Sequence, residues 1–276
     1  AALGSAVTVV EMMPGLLPGA DKDLVRPLQK RLEGAFASIL VDTKVVDLQE
    51  KKDGLHVTFE GAKVKDAVQV FDKVLISVGR KPNSEHLGLE HTGIVVTEQG
   101  FVEVDPQRRT AEANIFAVGD ISGEPMLAHK GTHEGIVAVE AIQGKKSVFE
   151  PLCIPAVVFT DPEVAWVGIT EAEAKAEKLN VKVARFPWAA SGRATTLERN
   201  DGITKLIVDT ETDRILGVGM TGVGAGDMIA EGAVAIEMGA TAEDLKLTIH
   251  PHPTLSETVM EAAEVYFGHS THMAKR

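Results

Sequence analysis

The 276-residue chain carries 44% hydrophobic side chains and a formal net charge of −12. That much apolar material buries a full core in two or three domains. The acidic balance, without a basic cluster or basic amphipathic helix, excludes a nucleic-acid surface or an anionic membrane as partner. No apolar run reaches the roughly 18 residues of a membrane span and no signal peptide is evident, so a soluble, cytoplasmic protein is expected. The single cysteine, Cys153, permits no internal disulfide, which fits a reducing compartment.

In chain order, Ala1 to Ser5 reads as a helix tail closed by a C-cap glycine, followed by the apolar strand Val7 to Val10 and the acid Glu11. A helix tail cannot open a domain unaided, so a preceding part of the protein is expected. An apolar strand closed by an acid is how a dinucleotide-binding unit ends its second strand. There the carboxylate accepts the adenosine ribose hydroxyls and repels a 2′-phosphate. The competing reading of Glu11 is a surface acid at a strand end.

Asp21 or Asp23 then caps a helix through Leu24, Val25, Leu28 and Leu32. It starts either at Lys22, where Pro27 costs about 3 kcal/mol in a regular interior, or nearer Val25. Ser38 to Val41, Lys44 to Gln49 and Leu55 to Phe59 alternate as strands, with Lys52-Asp53-Gly54 as a hairpin turn. Phe71 to Val78 is predicted to be a buried parallel strand stopping at Gly79. Short strands follow between Gly93 and Gly119, the last of them Asn114 to Val118, which sets Asp120 at the carboxyl edge of a sheet. Met126 to His129 opens a helix through Ile142, and its first N–H groups offer an acceptor-binding helix start.

Phe149 to Pro155 is a linker, after which the pattern becomes α+β. Strands are predicted at 156–159, 163–167, 181–188, 203–208 and 215–220, and helices at 171–178, 228–238 and 242–247. Met228, Ala233, Ile236 and Met238 are apolar positions for a covered face. Gly222 to Gly226 imitates a phosphate loop but lacks its Lys-Ser/Thr, so a strand-to-helix turn is the better reading. No His, Cys and carboxylate set has metal-ligand spacing, and no metal is expected.

The chain closes on His250-Pro251-His252-Pro253-Thr254-Leu255-Ser256-Glu257 and an apolar helix, with Thr254 or Ser256 available as N-cap. The spacing of His252 and Glu257 lets a carboxylate fix one imidazole nitrogen and free the other for general acid/base work. A structural His-Pro turn is the alternative.

Val9-Val10-Glu11, Ser77 to Asn83, Ile115 to Asp120, Met126 to Lys130 and His250 to Glu257 follow one another in a single order. Together they resemble the dihydrolipoamide dehydrogenases, flavin-dependent members of the class I pyridine nucleotide-disulfide oxidoreductases, along the whole chain. The resemblance implies an α/β and α+β fold. Residues 1–79 would be the rear part of a Rossmann-like NAD domain, 80–150 part of the FAD-contacting central domain, and 151–276 an α+β dimerisation domain. It assigns Glu11 to the NAD ribose, Val45 and Gly79 to the nicotinamide cofactor, and Asp120 to the FAD ribityl chain. Met126, Leu127, Ala128 and His129 would approach the flavin, with His252 as acid/base and Glu257 as its orienting partner. The implied reaction is oxidation of protein-bound dihydrolipoamide with reduction of NAD, in a homodimer. Its partners would be lipoyl domains of 2-oxoacid dehydrogenase complexes or of the glycine cleavage system.

The family's N-terminal FAD domain, redox-active cysteine pair and glycine-rich NAD turn have no counterpart here, so these 276 residues are expected to be inactive and colourless. Glutathione-reductase-like and mercuric-reductase-like relatives are disfavoured by Glu11 and by an ending without a cysteine pair. A non-catalytic dimerisation module remains the alternative from another class.

Overall fold

The computed structural model describes residues 1–273. The chain forms two compact units, Ala1–Leu75 together with Pro155–Arg276, and Ile76–Ile154. In the first unit β1 (Thr8–Val10) and β2 (Ser38–Leu40) pair in parallel across α1 (Lys22–Ala35). The helix starts at Lys22 with Pro27 inside it, so the later start near Val25 is not adopted. Asp21 holds the N-cap position but makes no side-chain cap bond. Its carboxylate is taken elsewhere, accepting from the Glu171 N–H at 3.0 Å and from Lys205 Nζ at 2.7 Å.

The alternating segments form the expected hairpin, β3 (Lys44–Lys51) and β4 (Gly54–Glu60), turning through Lys52 and Asp53. A third strand, β5 (Val68–Phe71), pairs with β4. The predicted strand from Phe71 to Val78 does not form: β5 stops where that strand was to begin, and Leu75 and Val78 are each 91% exposed. An apolar run becomes a strand only when a neighbour completes its hydrogen-bond ladder. Among the described residues no segment pairs with it.

The large sheet has the order β6-β7-β10-β9-β8, formed by β6 (Ala156–Val158), β7 (Glu163–Gly168), β8 (Val181–Pro187), β9 (Ile203–Asp209) and β10 (Ile215–Gly222), all antiparallel. The helix α3 (Glu171–Ala176) is entered through a complete capping box of Thr170 and Glu173, and α4 (Gly192–Thr196) follows β8. α5 (Ala225–Glu237), α6 (Ala242–Leu247) and α7 (Glu257–Tyr266) complete the unit, with α5 on β7 and β10 and α7 on β8 and β9. Leu24 and Leu28 of α1 join Val164 of β7 in one core. Trp188 is fully buried beside Gly222, where an added Cβ would lie 2.1 Å from its ring, so the glycine-rich turn is a packing feature.

A buried charge cluster joins α1, α3 and β9. Lys205, 1% exposed, donates to Asp21 at 2.7 Å, Asp23 at 2.7 Å and Glu171 at 2.8 Å. Arg185 of β8 adds bonds to Asp23 and Glu171. Among the described residues these three acids are the one group close enough to hold a cation, and the lysine ammonium already occupies its centre.

In the second unit α2 (Ala128–Ile142) is the single α-helix among the described residues. The short strands predicted between Gly93 and Gly119 reduce to isolated bridges, Val96 to Val102 and Arg109 to Phe116. A buried acid organises this unit instead: Glu134, 0% exposed, accepts from Arg108, Lys130, Ser122 and the Gly119 N–H. No helix among the described residues is long and apolar enough to cross a membrane.

Candidate active site

His252 lies on the loop between α6 and α7, and Glu257 is the first residue of α7, where a carboxylate is favoured by the helix N-terminus. The ring Nδ1 and Glu257 Oε1 are 2.9 Å apart, while Oε2 accepts from the Thr254 N–H at 2.7 Å. Neither candidate cap serves α7 as supposed: Ser256 takes the N-cap position but its hydroxyl donates to Thr254 Oγ1 at 3.2 Å and makes no cap bond, and the Thr254 hydroxyl donates to the Pro251 carbonyl at 2.7 Å. The helix start is anchored from below by a bond that sequence reading missed. Thr258 and Thr204 share a buried hydroxyl contact of 2.7 Å, and Trp188 Nε1 donates to Thr204 at 2.9 Å. Glu257 therefore sits one residue from a fully buried anchor.

Because a carboxylate only accepts, Nδ1 of His252 is the donor, and Nε2 is the nitrogen free to exchange a proton. The His252 side chain is 67% exposed and that of Glu257 15%. Burial by itself would raise the Glu257 carboxyl. Donation from the Thr254 N–H and from His252 outweighs this and holds it below its ordinary value. The arrangement can accept a proton at Nε2 and stabilise the resulting imidazolium.

Two residues earlier, His250 also has an acid. Its Nε2 lies 2.6 Å from Glu231 Oε1 of α5, and its Nδ1 lies 2.9 Å from the Thr248 carbonyl. Sequence spacing alone gives His250 no carboxylate partner. Glu231 stands 19 residues away, beyond the reach of local motif spacing.

The remaining candidates fall in separate places. Glu11 follows β1, its carboxylate accepting from the Met13 N–H at 2.8 Å. The Glu11 carbonyl accepts from the Thr43 N–H, which brings the acid near the start of β3, where Val45 is 53% exposed. In the second unit Arg80, next to Gly79, donates to Asp120 and to the Met126 carbonyl, each at 3.0 Å. Asp120 and the segment Met126, Leu127, Ala128 and His129 are thereby brought together, with Leu127 as N-cap of α2. Gly119 and Gly131 approach so closely that a Cβ on Gly131 would lie 3.0 Å from the Gly119 Cα. Farther along α2 an open, apolar groove of about 550 Å³ is lined by residues that include Ile136 and Val139.

Two family models match this chain: the pyridine nucleotide-disulphide oxidoreductase model over residues 1–135, and the dimerisation-domain model of the same oxidoreductases over residues 154–263. The dihydrolipoyl dehydrogenase of Vibrio cholerae is 52% identical over 266 residues, covering 96% of this chain and 56% of that protein. That of Haemophilus influenzae is 50% identical over 270 residues, covering 98% and 56%. The chain thus spans little more than half the length of the curated relatives it matches. Among solved structures, LpdA of Mycobacterium tuberculosis superposes with a TM-score of 0.87 at 27% identity, covering 96% of this chain and 57% of its own. The HOCl-induced flavoprotein disulfide reductase RclA of Escherichia coli gives 0.82 at 28%, covering 93% and 58%. With one family's models matched in succession and half of the residues shared along nearly the whole chain, this chain belongs to the pyridine nucleotide-disulphide oxidoreductases.

Proposed function

We propose that the chain supplies the acid/base pair and part of the cofactor site of a dihydrolipoyl dehydrogenase, which oxidises protein-bound dihydrolipoamide and reduces NAD. One observation carries the assignment: His252 is held through Nδ1 by Glu257 at 2.9 Å while the rest of its ring stays open. A thiol must lose its proton before its sulfur can attack a disulfide, since the thiolate is the nucleophile. His252 Nε2 takes that proton, and Glu257 fixes the tautomer and stabilises the charged ring. The lipoyl domains of 2-oxoacid dehydrogenase complexes or of the glycine cleavage system are the proposed partners, in the cytoplasm.

Residues 1–79, 80–150 and 151–276 are proposed to serve NAD binding, FAD binding and dimerisation. FAD, when bound, supplies a two-electron acceptor. The acceptors present suit both cofactors: Asp120 keeps a side chain 44% exposed beside the close Gly119 turn, and Glu11 presents a carboxylate at a strand end. Asp120 and the start of α2 would hold FAD, and Glu11, Val45 and Gly79 would hold NAD. The reaction also needs a redox-active cysteine pair, and Cys153 is the single cysteine, so these 276 residues by themselves are proposed to be inactive. A homodimer would cover Phe159, Val234, Met238 and Ile249, which are 82%, 63%, 78% and 94% exposed. Ile236, one of the apolar positions first considered, faces inward instead and is 8% exposed.

In the intact enzyme His252→Gln should lower turnover with dihydrolipoamide at least roughly 100-fold, as loss of a general base does. NADH oxidation by an artificial acceptor, which deprotonates no thiol, should persist. Loss of both activities together, or of neither, would make the loop a structural turn.

A further inference from the structure

We propose that His250 is a doubly protonated imidazolium at neutral pH that positions His252, clamped between Glu231 of α5 and the Thr248 carbonyl. This role presupposes the assignment of His252 as proton acceptor made above. Both partners of His250 are pure acceptors, at 2.6 Å from Nε2 and 2.9 Å from Nδ1. A neutral imidazole has one N–H and one lone pair, so it would set that lone pair against an oxygen. Only the doubly protonated ring satisfies both contacts. The side chain is 5% exposed, so water does not relieve such a mismatch.

The charges that face His250 agree. Glu231 on α5, then burial, Thr248 and finally Glu257 on α7 act on it; Glu231 dominates, burial opposes it, and the net effect raises the pKa above its ordinary value. His250 therefore has no lone pair to give, with both ring nitrogens donating.

The positional effect follows from the chain between the two histidines. His250 is pinned to α5 and His252 to α7, and the single residue that separates them, Pro251, has its φ angle set by the proline ring. With so little torsional slack, a shift of His250 is passed to His252. Misplacing a reacting group by about 1 Å can cost on the order of 100-fold in rate.

Ring ¹⁵N spectra of the intact, unaltered protein test the charge directly. His250 should show two protonated nitrogens at pH 7. A pyridine-like nitrogen on His250 at that pH overturns the proposal, and the measurement stands whether or not His252 proves to be the base. Positioning is tested by Glu231→Gln, which keeps an acceptor but removes the charge. The expected result is a loss of kcat with dihydrolipoamide of roughly 10- to 100-fold, with the KM for NAD unchanged and a displaced acidic limb of the pH profile. Glu231→Asp, which retains the carboxylate, should recover part of that loss. An unchanged kcat and pH profile in a folded Glu231→Gln enzyme overturns the positioning role. If instead His252→Gln leaves turnover intact, the assignment of the base fails while the spectra still report on His250.

Discussion

Two buried ion clusters hold the two units in opposite ways. In the first a lysine is enclosed by acids: Lys205 of β9 donates to Asp21 at the N-cap of α1, to Asp23 in α1 and to Glu171 of α3. In the second an acid is enclosed by donors: Glu134 accepts from Arg108, Lys130, Ser122 and the Gly119 N–H. Around Lys205 lies a five-stranded sheet whose ladders satisfy most of the backbone. Around Glu134 there is one α-helix and a pair of isolated bridges among the described residues. A buried charge beside a sheet joins segments that already have regular structure. Where ladders are scarce, it replaces them as the organiser of the loops.

The largest expected effect breaks the first cluster. Lys205→Met leaves three carboxylates facing one another without their central cation, and removing one partner of a buried ion set costs about 3–5 kcal/mol. Urea unfolding should show that loss in the midpoint, and a change under about 1 kcal/mol would mean that Arg185 alone neutralises the acids. Glu134→Gln should cost less, about 1.5–3 kcal/mol, because the amide oxygen retains some acceptor capacity. Its signature is regional: hydrogen exchange should quicken in α2 and the Gly119 turn, while β9 and β10 keep their protection. Uniform loss of protection would contradict the division into separately held units.

Titration sharpens the contrast with a smaller effect. Burial would raise the Asp23 carboxyl, but bonds from Lys205 and Arg185 prevail and lower it from the ordinary 3.8. A depressed acid contributes stability above its unfolded value, and that contribution is lost as pH falls from about 3.8 through the lower folded value. His250 is shifted the other way. Its contribution is complete below the ordinary 6.5 and disappears as pH rises through the raised folded value. The first unit should therefore be most stable between these limits, with the alkaline decline absent in Glu231→Gln. Urea midpoints across pH 2 to 9 check both limbs. Smallest of all, Glu85→Gln breaks only the exposed Lys81 pair and should leave the midpoint where it was.

Much of this was legible because it is local. Period-two alternation and the Asp53-Gly54 turn place the β3–β4 hairpin, and Thr170 with Glu173 announces α3. The five-residue spacing from His252 to Glu257 closes into a 2.9 Å contact within one loop and helix start. The start of α1 was ambiguous because Pro27 argues locally against the helix, while Leu24 and Leu28 pack into a core that favours it.

By itself the sequence determined which segments are apolar, where capping residues and turns stand, and that His252 has an acid within reach. Only the tertiary structure decided which partner each charge takes. It sent Asp21 to Lys205 rather than to its own helix, Arg80 to Asp120, and Glu231 to His250. It also turned Ile236 inward and left Leu75 and Val78 bare. The reason is physical. Periodicity and capping act over a few residues, whereas ladder pairing, burial and ion pairing join distant residues, such as Asp21 and Lys205, which stand 184 positions apart, and their energy depends on what the folded chain places beside them.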